Sequence, residues 1–117
     1  MKIRWAALAA TAALTGCGGS GVTVPDEVVG TWGNNCAQPW MTIGSNGVMH
    51  IVPTNTDFTL KSATLSGTTY TQSYDDPTTG LTTETWELSG GKLAEVKAVN
   101  AKGGEASFSG GGFTKCS

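Results

Sequence analysis

Arginine and histidine are almost missing from this chain of 117 residues: Arg4 is its sole arginine and His50 its sole histidine. Beyond the first sixteen residues the bases are Lys61, Lys92, Lys97, Lys102 and Lys115 against nine acids, a net charge of −4 spread along the chain. Without a basic cluster, nucleic acid is excluded as a partner. One histidine and no CxxC pair leave no metal-ligand set, so neither metal nor cofactor is expected. No GxSxG elbow occurs, and a nucleophile needs a base beside it. His50 sits in an alternating stretch opposite in phase to Met49 and Ile51, which places it on an outer face. Gly103-Gly104 and Gly110-Gly111-Gly112 lead into strand-like runs, not into a helix bearing a lysine, so they read as turns and not as phosphate cradles. The longest apolar run, Trp5 to Leu14, is about half the roughly 20 residues that a bilayer span requires.

That short run is informative in another way. It follows two positive charges, Lys2 and Arg4, in the order of an export signal, a helical segment in transit. It ends in Leu14-Thr15-Gly16-Cys17, which resembles the bacterial lipoprotein signal family: a leucine three before the cysteine, two small residues, then the cysteine. The resemblance implies that residues 1–16 are removed and that Cys17 becomes a lipidated N-terminus carrying palmitate-type acyl chains. Two or more such chains hold a protein stably at a membrane. Gly18 after the cysteine implies sorting to the outer membrane, facing the periplasm. Residues 17–26, with Gly18-Gly19-Ser20-Gly21, have the composition of a flexible tether, and residues 27–117 remain for one small domain.

Two further cysteines, Cys36 and Cys116, fall near the two ends of that domain. In an oxidising envelope they are expected to pair. The loop they close is worth at most about 4–5 kcal/mol by chain entropy. Between them no segment keeps an apolar helical period for three turns. Short runs rich in Thr, Val and aromatics alternate with glycine-containing turns, the pattern of an all-β fold. We expect a small antiparallel up-and-down barrel of seven or eight strands, closed by the disulfide.

Keeping apolar residues on one face sets the hairpin registers. A three-residue Ser45-Asn46-Gly47 loop puts Met41 opposite Ile51 and Ile43 opposite Met49, with Gly47 left-handed. The same criterion predicts a three-residue Ser66-Gly67-Thr68 loop that gathers Phe58, Leu60, Tyr70 and Tyr74. For the run Leu81 to Leu88, a two-residue Gly90-Gly91 loop sets Trp86 against Glu95. A loop one residue longer, with a bulge, sets it against Val96 and is therefore expected.

Candidate functional residues are few. Trp40 is out of phase with Met41 and Ile43 and is expected at the surface, available to a partner. Asp75 and Asp76 lie in a Pro/Gly turn; Glu84 and Glu87 fall on opposite faces of one strand, against a paired-carboxylate glycosidase. Gly30-Thr31-Trp32 resembles the GxW opening of lipocalins and related calycin barrels, which implies a tryptophan closing the barrel bottom. No arginine remains to cover that tryptophan, so a roomy cavity is not expected. Ser66-Gly67-Thr68-Thr69-Tyr70 and Lys102-Gly103 resemble the SGxxY and Lys-Gly segments of membrane-bound C-type lysozyme inhibitors, which implies that Ser66 and Lys102 reach into an enzyme cleft. About thirty residues separate the two segments, far more than in that family. The leading expectation is a lipid-anchored, non-catalytic binding or structural module with a protein or small apolar ligand as partner. An inhibitor of a hydrolase is the alternative, and a small hydrolase using Asp75, Asp76 or Glu84 comes third.

Overall fold

A computed structural model describes residues 21–109 and 111–117; the signal segment and Cys17 lie outside the described residues. The strands are β1 (Gly30–Gly33), β2 (Met41–Ile43), β3 (Val48–Ile51), β4 (Thr56–Ser66), β5 (Thr69–Asp76), β6 (Gly80–Ser89), β7 (Lys92–Asn100), β8 (Glu105–Ser107) and β9 (Phe113–Lys115). Each of β1 to β7 pairs antiparallel with the next, and β9 bridges β7 back to β1, so eight strands close a barrel. β8 is the extra piece. It pairs with the far half of the same β7 edge that β9 uses, β8 lying against Lys97–Val99 and β9 against Lys92 and Leu93. Among the described residues no helix is long and apolar enough to cross a membrane.

Closure joins the first and last strands, as expected, and removes the sheet edges there. Cys116 N–H donates to the Thr31 carbonyl (2.7 Å), and the Cys36–Cys116 disulfide staples the loop after β1 to the end of β9 across 80 positions of sequence.

The β2–β3 register is the expected one: Met41 faces Ile51, Ile43 faces Met49, and Gly47 has φ 85°. The other two hairpins correct the expectation. Both tips are two-residue loops, with Ser66 paired to Thr69 and Ser89 to Lys92. Gly90 and Gly91 both take positive φ (59° and 77°), the requirement of a tight primed turn that only glycine meets without strain. The expected registers survive only away from the tips. Leu60 faces Tyr74 and Glu84 faces Ala98, after which a bulge at Lys61 in β4 and another at Val96 in β7 shift the pairing by one residue. Trp86 therefore faces Glu95 and not Val96. A bulge inserts one unpaired residue and lets a strand satisfy a glycine-dictated turn at one end and an apolar face at the other.

One barrel end is sealed. Val24, Val28, Trp32, Tyr70 and Leu93 are buried there, so the packing begins three residues before position 27, inside the segment read as tether. Trp32 Nε1–H donates to the Val28 carbonyl at 2.9 Å, which satisfies the one polar atom of a fully buried indole. The Lys115 ammonium, from the last strand, stands 5.7 Å over the Trp32 ring.

Candidate functional site

The opposite end is a mouth. Its wall is made where β2 and β3 meet the overhanging β4 to β7, and its lining alternates along each strand as an inner face must. Trp40, Met41, Met49, Ile51, Phe58, Tyr74, Trp86 and Phe113 surround a cavity of about 300 Å³ together with Glu84 and Glu95. A second recess of about 400 Å³ adjoins it under the β7–β8 turn and shares Tyr74, Glu84 and Glu95. The two acids thus stand where both spaces meet. A larger concavity, about 820 Å³, is an open groove along Thr56–Lys61 and the Asp75–Thr78 turn. Lys61 Nζ lies 3.3 Å from Asp75 along it, and Phe58 lines both this groove and the mouth.

The mouth is polar at its floor. Gln72, fully buried on β5, accepts from Tyr70 O–H (2.9 Å) and donates through Nε2 to Glu84 Oε1 (2.8 Å) and Met49 Sδ (3.2 Å). Tyr74 O–H donates to Glu84 Oε2 (2.8 Å), and Trp86 Nε1–H reaches Glu84 Oε1 (3.3 Å). Three donors converge on one carboxylate, which is how a charge is tolerated off the solvent. Glu95 has Glu84 as its hydrogen-bond partner. Burial, then the neighbouring Glu84 charge, push the Glu95 carboxyl up to about 8, so near neutral pH it holds its proton and donates it to Glu84. Burial first and Glu84 second also push the Tyr70 and Tyr74 hydroxyls up, which keeps both as donors.

Trp40 is exposed to 44 % at the rim and stacks on Phe113 with ring centroids 6.1 Å apart, as its phase predicts for a surface residue. Phe113 in turn stands 6.1 Å from Trp86, so an aromatic wall runs from the rim inward. Glu84 and Glu87 do face opposite ways: Glu87 is on the outer wall, engaged by the Thr68 and Thr69 hydroxyls. His50 is on the outer wall with Asp57 at 2.6 Å. Asp76 Oδ1 accepts the Thr78 and Thr79 N–H groups (2.7 and 3.2 Å), a turn-forming role. Ser66 and Lys102 are not brought together. Ser66 is at the β4–β5 tip beside the Glu87 end of β6, and Lys102 follows Asn100, which pairs with Thr82 at the other end. An inhibitor using both residues in one cleft has no such patch on this barrel.

Sequence alone does not bring Glu84 and Glu95 together, because an acid facing Trp86 argues against the correct register. The usable signal was Gly90-Gly91, which demands the two-residue turn whatever it does to the faces. Gln72 carried a weaker signal, a polar residue in phase with Tyr70 and Tyr74. No protein-family model matches the chain, and neither a curated protein nor a solved structure matches it. The functional reading therefore rests on this geometry.

Proposed function

We propose that the chain is a lipid-anchored lipoprotein of the bacterial cell envelope, held at the outer membrane and facing the periplasm, whose barrel is a non-catalytic module binding a small, largely apolar ligand at its mouth. The observation that carries the binding reading is the aromatic-lined cavity of about 300 Å³ at the open end of a barrel sealed at the other. That size is at the low end of small-molecule sites, and apolar walls with a few fixed polar groups are their usual composition. The anchor is supported by Leu14-Thr15-Gly16-Cys17 and by the disulfide, which suits an oxidising compartment. A non-catalytic role is supported by Glu84 being held by Gln72, Tyr74 and Trp86 while Glu87 is engaged on the outer wall, so these two acids do not form the opposed pair of a carboxylate glycosidase.

Two measurements test this. Mass spectrometry of material from the native host is expected to find a chain beginning at an acylated Cys17; an unmodified Cys17 sinks the anchor. Titration of the full chain with small aromatic probes of different charge is expected to shift the Trp40 and Trp86 indole resonances. If those signals stay fixed with every probe at millimolar concentration, the mouth is not a binding site.

A further inference from the structure

The mouth is unusual in its charge as well as in its aromatics. Glu84 and Glu95 border both recesses, Asp76 and Glu105 line the second, and no lysine or histidine lines either. Glu105 has its counter-ion on the outside, Lys97 at 3.5 Å, and Asp76 is occupied by its own turn. Glu84 and Glu95 have only each other and neutral donors. A charge held off the solvent without a counter-ion is costly, and an incoming group of opposite sign relieves it. Trp86, Phe113 and Trp40 line the same opening, and aromatic rings attract organic cations.

We propose that the ligand of the mouth is an organic cation, a small amine or quaternary ammonium with an apolar body, its charge set against Glu84 and Glu95 and its body among Trp40, Trp86 and Phe113. The proposal rests on the mouth being a binding site at all, and it adds the sign of the ligand. A hard metal ion is a poor occupant. It needs several oxygen ligands, and among the described residues no group of three His, Cys, Asp or Glu side chains is placed to hold one.

The acid pair gives the cation a pH signature. The titratable groups facing Glu95 are Glu84, Tyr74, Asp76 and Glu105; β1 to β4 and β9 bring none to the lining. Near neutral pH Glu95 holds its proton beside Glu84, and it loses that proton as pH rises through about 8. A cation competes with that proton, so its affinity rises as the pair loses it, whereas a neutral ligand is indifferent to the change.

The test uses the full chain, tryptophan fluorescence and three soluble probes: benzyltrimethylammonium, 2-phenylethanol and phenylacetate, none of which changes charge between pH 6.5 and 9. The cation is expected to bind tightest at both pH values and to tighten by about tenfold at pH 9, by proton linkage. In Glu95→Gln that tightening is expected to vanish while binding persists. If 2-phenylethanol or phenylacetate binds as well as the cation, the charge assignment is overturned and the binding site stands. If the pH effect survives in Glu95→Gln, the assignment to this pair is overturned. If no probe binds, the binding reading falls and the cation with it. The wild-type probe comparison needs no variant, so a misfolded Glu95→Gln leaves the outcome decidable.

Discussion

The two ends of this barrel are built from the same strands and filled on opposite principles. At the sealed end Val24, Val28, Trp32, Tyr70 and Leu93 are packed without solvent, and the single indole N–H has a backbone partner. At the mouth the same strands present Gln72, Glu84 and Glu95 inward, and a polar network replaces apolar contact. Close packing stabilises without directing; a buried hydrogen-bond network directs and contributes little net stability. The comparison therefore separates the residues that hold the fold from those available for a task.

Trp32 holds the sealed end. Trp32→Ala empties a fully buried indole, orphans the Val28 carbonyl and removes the ring under Lys115. A loss of about 3–5 kcal/mol is expected for such a truncation, read as a lower urea midpoint at unchanged slope. A loss under about 1 kcal/mol would mean that the sealed end is not what holds the barrel.

The second prediction turns on the sign of the Glu95 shift. The folded chain keeps this proton up to about pH 8, whereas the unfolded chain releases it near the ordinary value of 4.5. The raised value means that folding is favoured where the proton is bound. That contribution is complete below about 4.5 and is lost as pH rises through 8. Discounted for the half-exposed position of Glu95, it amounts to about 1–2 kcal/mol. Glu95→Gln keeps a donor for Glu84 and has no proton to lose. Between pH 5 and 9 the wild type should therefore lose about that much stability relative to the variant in parallel urea titrations. Parallel curves for the two proteins would show that Glu95 does not hold its proton up to about pH 8.

The same contrast explains how much of the molecule was legible in its sequence. Where apolar residues alternate and the turn carries no conflict, as from Met41 to Ile51, face coherence finds the register outright. In β4–β5 and β6–β7 the criterion finds the middle of each ladder and misses the tip, because bulges at Lys61 and Val96 absorb the difference. Trp32 and the closing disulfide follow from residue type and from the pairing expected of two cysteines near the ends of one domain. Glu95 does not. An isolated carboxylate facing a tryptophan is expensive, and only the fold supplies the Glu84 partner that makes the position tolerable. Local rules fail where several elements meet, and here that place is the candidate site.

The smallest expected effect on stability separates the ends most clearly. Trp40 lies at the rim, 44 % exposed, and one face of its ring is spent on Phe113. Removing it uncovers Phe113 but opens no enclosed cavity, so Trp40→Ala should change stability by less than about 1 kcal/mol. Its ring nevertheless forms one wall of the space between Phe113 and the acids. Loss of one aromatic face should weaken benzyltrimethylammonium binding several-fold, in line with about 0.5–2 kcal/mol for a cation over a ring. Trp32→Ala and Trp40→Ala thus remove the same side chain from opposite ends, one expected to lose stability and the other affinity. A Trp40→Ala protein that melts earlier yet binds the cation unchanged would assign the rim to the fold and leave the mouth without its outer wall.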